Sequence, residues 1–348
     1  MAPIKSSLAR SVGKLLGVYK DTDLSLRGAT QSTRHREPPF SASGGNIDGA
    51  TPGNGFKYHV FTSSGTFTVS VGGEVEYLVV AGGASGGYDR AAGGGAGGLR
   101  CNSPTCPAPR RTPSLSLDPG PYTITVGDGG TAHTGYGAMS PPVAGQPSSI
   151  ASTVVASGGG GYSPTASENN GGSGRGSGSG GQPGRGTTIA SPDGLSPTVQ
   201  GFDGGGPSDS TTSLGTGAGG GGGAGGAGGA SSPPSGPSAG VGGAGLAVPA
   251  FNGALFPTMP ASWRSAVGPT GVYAGGGGGG GSQDGQGPNT GGPAHPGGGG
   301  GGVGGTGPGT DGTAAVANTG GGGGGGNNVP QGDGGAGGSG IVIIRYPE

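Results

Sequence analysis

Seven consecutive glycines run from Gly275 to Gly281, and comparable blocks follow at Gly297–Gly302 and Gly320–Gly326. No other feature restricts this chain as strongly. Glycine loses more conformational freedom on ordering than any other residue, and it has no side chain to bury. Ordering costs roughly 1–2 kcal/mol per residue, whereas a backbone hydrogen bond returns only about 0.5–1.5 kcal/mol net. Such a run is therefore ordered only where nearly all its N–H and C=O groups are paired and neighbouring contacts help.

Of 348 residues, 99 are Gly and 31 are Pro, and only 9% are charged. High Gly and Pro without a strict period is one mark of disorder. Charge-driven disorder, however, needs a large net charge, and here the net is −1. Apolar side chains are too few for two conventional cores. The longest purely aliphatic run, Ile341–Ile344, falls far short of the roughly 20 residues of a membrane-spanning helix. The two cysteines, Cys101 and Cys106, make neither a disulfide framework nor a complete zinc site. A small local disulfide and two free thiols are both compatible with their spacing.

The residues that interrupt the glycines follow a period of three. Ala218, Ala224, Ala227 and Ala230 are separated by multiples of three, as are Asp333, Ala336 and Ser339, and Val241, Ala244 and Ala247. Three residues per turn is the period of polyproline II, which has no internal hydrogen bonds. On such a helix one column carries side chains and two are bare, so neighbouring backbones can approach and bond, with Cα–H···O contacts in support. Collagen needs Gly at every third position; here the pattern is inverted. A silk-like stack would need regular Gly-Ala alternation. The expected fold is mainly β plus irregular: a small antiparallel sheet or sandwich clamping a bundle of glycine-rich polyproline II-like helices.

Residues 1–40 differ from the rest. They carry seven basic residues (Lys5, Arg10, Lys14, Lys20, Arg27, Arg34, Arg36) against Asp21, Asp23 and Glu37, which leaves the remainder net acidic. Leu8, Val12, Leu15, Leu16 and Tyr19 recur at helical spacing. This basic N-terminal segment is read as a short α-helix that docks on a partner, in preference to a transit peptide or a membrane-surface helix. Residues 41–55 read as a linker, 56–130 as a β-rich part, 131–340 as the glycine-rich bundle with an insert at 247–273, and 341–348 as a closing strand. Strand alternation is clearest at Phe67, Val69 and Val71, at Val75, Tyr77 and Val79, and at Tyr122, Ile124 and Val126. Thr153–Gly159 and Gly340–Pro347 add two more strands. If the last strand joins the early ones, the sheet holds both ends of the glycine region.

The ordered set "VEYLVVAGGASGG", "PGPYTITVGDGG", "VYAGGGGGGG", "VANTGGGGGGG" and "GGAGGSGIVIIRYP" resembles the glycine-rich domain of bacteriophage structural proteins, common in tail-fibre and adhesin-like proteins of marine phages. The resemblance covers roughly residues 55–348. It implies a virion surface component in which polyglycine helices form a compact sandwich on a fibre tip and loops at one end touch the host. Its implied partners are other virion proteins, met through the N-terminal segment, and a host cell-surface receptor. As an assembly it implies a homotrimer or a monomer seated on a trimer. Its implied place is the virion, on a tail appendage rather than the capsid surface.

Two stretches depart from the family pattern, "CNSPTCPAPRR" and Ala247–Tyr273. The second holds Phe251, Phe256, Met259 and Trp263, followed by Arg264. Apolar residues are usually buried, which makes it a core plug. Aromatic and Arg clusters also mark binding hot spots, which makes these five residues a candidate contact loop. His35, His59, His133 and His295 show no metal-ligand spacing. No nucleophile–base pair, paired carboxylates or phosphate loop stands out. The expectation is thus no enzyme, no metal and no cofactor. A net acidic body without interleaved aromatic and basic residues argues against nucleic acid. A receptor-binding fibre is set against a passive capsid decoration, head fibre or tail element. An ice-binding or wall protein is a third class, disfavoured because no regular threonine face is seen.

Overall fold

The computed structural model describes residues 39–88, 92–133, 143–161, 170–178, 183–186, 195, 199–207, 217–232, 239–281, 291–303, 311–327 and 332–348. The chain divides into two compact units, Met1–Pro39 and Phe40–Glu348, and the second contains every described strand and glycine run. The helix expected around Leu8, Val12, Leu15, Leu16 and Tyr19 lies outside the described residues.

The strands are β1 (Ser41–Ser43), β2 (Ile47–Ala50), β3 (Phe56–Phe61), β4 (Gly65–Val71), β5 (Gly73–Val80), β6 (Leu99–Cys101) and β7 (Leu115–Leu117). They continue with β8 (Gly120–Thr125), β9 (Ser148–Ile150), β10 (Val154–Ala156), β11 (Leu246–Ala247), β12 (Val272–Tyr273) and β13 (Ile341–Pro347). One sheet has the order β1-β4-β8-β9-β10, and a second has β2-β3-β13-β5-β6, with β7 also on β5. All these pairings are antiparallel. The protein is mainly β.

Alternation works as the sequence predicts in β4, where Phe67 and Val69 are buried while Thr66, Thr68 and Ser70 face solvent. The inward residues of both sheets share one apolar layer that includes Phe67, Val69, Ile124 and Ile150 from one side and Phe61, Tyr77, Val342 and Ile344 from the other. The 41–55 stretch is not a plain linker. It forms β1 and β2, one edge strand for each sheet. Gly44, Gly45 and Gly49 make this possible, since all three have positive φ, a region most residues avoid.

β13 is the last element in sequence and lies between β3 and β5. Ile343 pairs with Val60 on one side and Leu78 on the other. Both faces of β13 are covered, which explains its near-continuous apolar run. The chain leaves β5 into the glycine region and returns through β13.

Within the glycine region the described runs carry almost no strand or helix, yet most of their residues are buried. Their backbone bonds connect different runs. Gly277, Gly278 and Gly279 donate to Gly94, Gly300 and Gly240, at 3.1, 2.9 and 2.9 Å. Three successive residues thus meet three different neighbours, and the pattern repeats every third residue. Gly322 and Gly325 donate to Gly275 and Gly278, while Gly323 and Gly326 donate to Ala84 and Gly87. Runs leave and return: Gly83 donates to Gly338 and Gly86 to Gly335, so the run leaving β5 is antiparallel to the run entering β13.

The lattice has two ends. At the sheet end, Gly97 donates to Gly320, Gly340 to Gly127 and Ala274 to Thr319. At the far end, Gly326 donates to Gly87, Gly334 to His133, Gly312 to Asp333, Gly281 to Val303 and Ala218 to Gly280. Gly219 donates there to Ser177 and Ser231 to Gly206. These far-end residues flank the connections 89–91, 134–142, 179–182, 208–216, 233–238, 282–290, 304–310 and 328–331.

A Cβ on Gly277 would fall on the Gly323 carbonyl, 2.7 Å from its carbon, whereas a Cβ on Gly206 would meet nothing within 4 Å. Overpacking that the backbone cannot relieve costs roughly 1–3 kcal/mol or more. Gly277→Ala is therefore expected to destabilise by at least about 2 kcal/mol, and Gly206→Ala to stay within about 0.5 kcal/mol. Denaturant titration of the two variants checks this; equal effects would mean that close backbone approach does not hold the lattice.

Candidate functional site

Where the sheets meet the lattice, polar side chains tie the ends together. Arg345 projects from β13 and is 7% exposed. Its Nε and Nη2 donate to Glu76 Oε2 at 2.9 and 2.6 Å, a two-pronged pair with the register neighbour on β5. Its Nη1 donates to the Tyr58 hydroxyl at 2.9 Å and to the Ala250 carbonyl at 3.3 Å. The guanidinium carbon lies 3.9 Å from the Phe56 ring centre and 5.3 Å from that of Phe251. Planar, multiply donating Arg suits such a place and Lys does not.

The other tie is Asn318. Its φ of 59° is positive, a conformation Asn tolerates better than most residues. Its Nδ2 donates to the carbonyls of Thr62 and Gly340, its N–H to Ser339 Oγ, and its carbonyl accepts from Trp263 Nε1 at 2.8 Å. One residue thus joins the end of β3, the entry to β13, a glycine run and the insert.

The insert is packed rather than displayed. Phe251, Phe256, Met259 and Trp263 are buried in one apolar cluster with Tyr58, Leu78, Ile341 and Ile343. Trp263 packs against Phe256 and Tyr273, with ring centres 6.1 and 6.2 Å away. It sits on the short helix α1 (Ala261–Val267), which turns Trp263 and Val267 inward. Burial raises the Tyr273 hydroxyl well above its ordinary pKa, and that hydroxyl donates to the Phe251 carbonyl at 2.6 Å. Of the five residues read as a contact loop, only Arg264 is exposed, and its Nε bonds the Met259 carbonyl. The exposed-loop reading is therefore corrected. The insert is closed at its base by β11 and β12, at the sheet end, where its aromatics cover the second sheet.

Cys101 and Cys106 form a disulfide. Both are buried against the insert, and Thr105 Oγ1 accepts from the Ala250 N–H at 3.2 Å. A shallow groove of 380 Å³ runs between Ile47, Ala50 and Pro52 on one side and Leu255, Phe256 and Pro257 on the other. No titratable side chain lines it. Among the described residues no three His, Cys, Asp or Glu side chains gather as a metal site, and no helix is long and apolar enough to cross a membrane.

Among the described histidines, His59 has the tightest polar setting. Its Nδ1 lies 2.9 Å from the Gly44 carbonyl and 3.0 Å from Asp48 Oδ1, and its Nε2 lies 3.0 Å from the Tyr346 hydroxyl. Burial lowers its pKa, against smaller raising effects of Gly44 and Asp48. Sequence reasoning missed Arg345, Asn318 and His59. Only Arg345 left a trace: a cation inside "IVIIRYP", matched by the acid inside "VEY".

The far end is the other candidate surface. The connections that arise there are built largely of Ser, Thr, Asn, Gln, Asp, Pro and Gly, as in "SDSTTSLGT" (208–216) and "SQDGQGPNT" (282–290). A family model described as a glycine-rich domain matches residues 62–347. The chain belongs to the glycine-rich domain family. No curated protein matches it. The match begins between β3 and β4 and ends in β13, so it takes in the glycine lattice and the strands from β4 onward, while β1, β2 and β3 precede it.

Breaking a buried ion pair by removing one partner costs about 3–5 kcal/mol. Arg345→Ala is expected to lose about 3 kcal/mol, and Arg345→Lys to recover less than half of it because the fork is gone. Chemical denaturation of both variants decides; full recovery by Lys would show that charge alone matters.

Proposed function

We propose that this glycine-rich domain protein is a bacteriophage virion structural protein of the tail-fibre or adhesin type, whose far-end connections contact a host surface molecule. The observation that carries the reading is that the described residues flanking eight connections meet through backbone bonds at one end of the lattice. Such loops can change in sequence without disturbing a core, which suits recognition on a rigid scaffold. Burial of Phe251, Phe256, Met259 and Trp263 removes the insert from the contact role, so the contact surface is the far end. The glycine runs are polyproline II helices in this reading. A hydrogen-bond pattern that repeats every third residue supports it, as does the threefold spacing of the non-glycine residues.

The basic segment around Leu8, Val12, Leu15, Leu16 and Tyr19 is the virion anchor in this scheme, and a homotrimer or a monomer on a trimeric support is the assembly. No enzymatic step is assigned.

Location on the particle tests the proposal. Gold label against the body is expected at the tip of a tail appendage. Replacing residues 282–290 by a Gly-Ser linker of equal length is expected to lower adsorption at least about tenfold with thermal stability unchanged, as for a loop that carries recognition but no core. Label spread over the capsid, with adsorption unaffected by the replacement, would make the protein a decoration. Absence of label from all particles would end both readings.

A further inference from the structure

Two arginines rest on an aromatic ring with one nitrogen on a backbone carbonyl. Arg345 is complete: Nη1 donates to the Ala250 carbonyl, the guanidinium carbon lies 3.9 Å from the Phe56 ring centre, and Nε and Nη2 hold the Glu76 carboxylate. Arg110 repeats the first two features. It ends the short 3-10 turn Ala108–Arg110, its Nη1 donates to the Val199 carbonyl at 3.0 Å, and its guanidinium carbon lies 4.5 Å from the Phe202 ring centre. The third is missing. Among the described residues, Nε and Nη2 of Arg110 have no hydrogen-bond partner and no carboxylate pairs with the guanidinium. Asp203, beside Phe202 in the chain, instead accepts from the Gly186 N–H at 2.7 Å. Burial lowers the Arg110 pKa, and no nearby anion offsets it.

Arg110 is 7% exposed, yet its two unused nitrogens are not sealed from solvent. A guanidinium fixed through Nη1 and by a ring, with its Nε–Nη2 edge open, is a fork set for a carboxylate. Val199 and Phe202 beside it are 43% and 39% exposed, two of the four large hydrophobic side chains that stand exposed among the described residues. The backbone here is already committed. The Gln200 carbonyl accepts from Leu99, the Phe202 carbonyl accepts from Gly174, and the Phe202 N–H donates to Gly223. An extended peptide would therefore find no strand edge to pair with. What remains on offer is one forked cation and an apolar surface next to it.

We propose that Arg110, Val199 and Phe202 form a binding site for a hexuronic acid unit of an acidic polysaccharide. The carboxylate takes the Nε–Nη2 edge in a two-pronged pair, as Glu76 does on Arg345. The C–H face of the pyranose ring packs on the exposed parts of Phe202 and Val199, where it leaves water and meets an aromatic surface. The site adjoins β6 through the bond between Leu99 and Gln200. It lies at the sheet end, apart from the far-end connections, and its occupation does not depend on whether those meet a host.

Titration of the full chain with trigalacturonate, followed on the ¹⁵N side-chain Nε–H signals of its arginines, tests the site. The Arg110 signal is expected to move and saturate below about 10 mM, while that of Arg345, whose edge is filled, stays in place. Galactotriose, the neutral counterpart, should move neither. Arg110→Gln is expected to weaken binding at least about tenfold, as for loss of a hydrogen-bonded charge. Phe202→Ala, which keeps the charge, should weaken it about threefold or more. Thermal unfolding reports whether each variant is folded. Should Arg110→Gln fail to fold, the Arg110 signal of the unaltered protein decides. An Arg110 signal that ignores trigalacturonate, or full affinity in a folded Arg110→Gln, would overturn the site. A glutamate hexapeptide or galactotriose that binds as tightly as trigalacturonate would overturn the assignment to an acidic sugar.

Discussion

Backbones that lie close enough to hydrogen-bond side by side, without belonging to a sheet, hold this protein together. Gly277, Gly278 and Gly279 each reach a different neighbouring run, and a single added methyl at Gly277 would occupy the space of the Gly323 carbonyl. The lattice replaces an apolar core with backbone hydrogen bonds. It excludes water by close approach rather than by side-chain volume, which is why so few large residues suffice for 348.

Such a lattice has no means of fixing its own register, since one glycine is like the next. The sheets supply that. β13 enters between β3 and β5, so the first and last glycine runs are anchored one strand apart. Arg345 ties β13 to Glu76, Tyr58 and the insert. Asn318 ties the insert, the strand ends and a glycine run at one point. The insert's aromatics then cover the face of the second sheet that the β-sandwich leaves open.

Much of the β framework was legible. Two-residue alternation exposes β4 and β8 directly, and the unbroken apolar run of β13 reads as a strand covered on both faces. The threefold spacing of Ala218, Ala224 and Ala227 anticipates a lattice whose bonding repeats every third residue. The 41–55 stretch was not legible as strands: its glycines and short polar residues look like a linker, and only the edges offered by β4 and β3 turn it into β1 and β2. The insert was ambiguous for a related reason. Aromatic residues with an Arg look the same in sequence whether they fill a core or a hot spot, and the apolar face of the second sheet decided the matter. His59 and Asn318 left no local signal, because their partners come from chain segments as much as 287 and 256 residues away.

The building material was dictated by the residues alone. Runs of glycine can be ordered only by near-complete backbone pairing, and a threefold pattern of side chains leaves bare columns where that pairing can occur. Which runs are neighbours, and where the disulfide-closed loop and the insert lie, were settled only by the assembled fold. The physical reason is degeneracy: glycine offers every neighbour the same donor and acceptor, so partner choice is set by the few side chains that hold the ends.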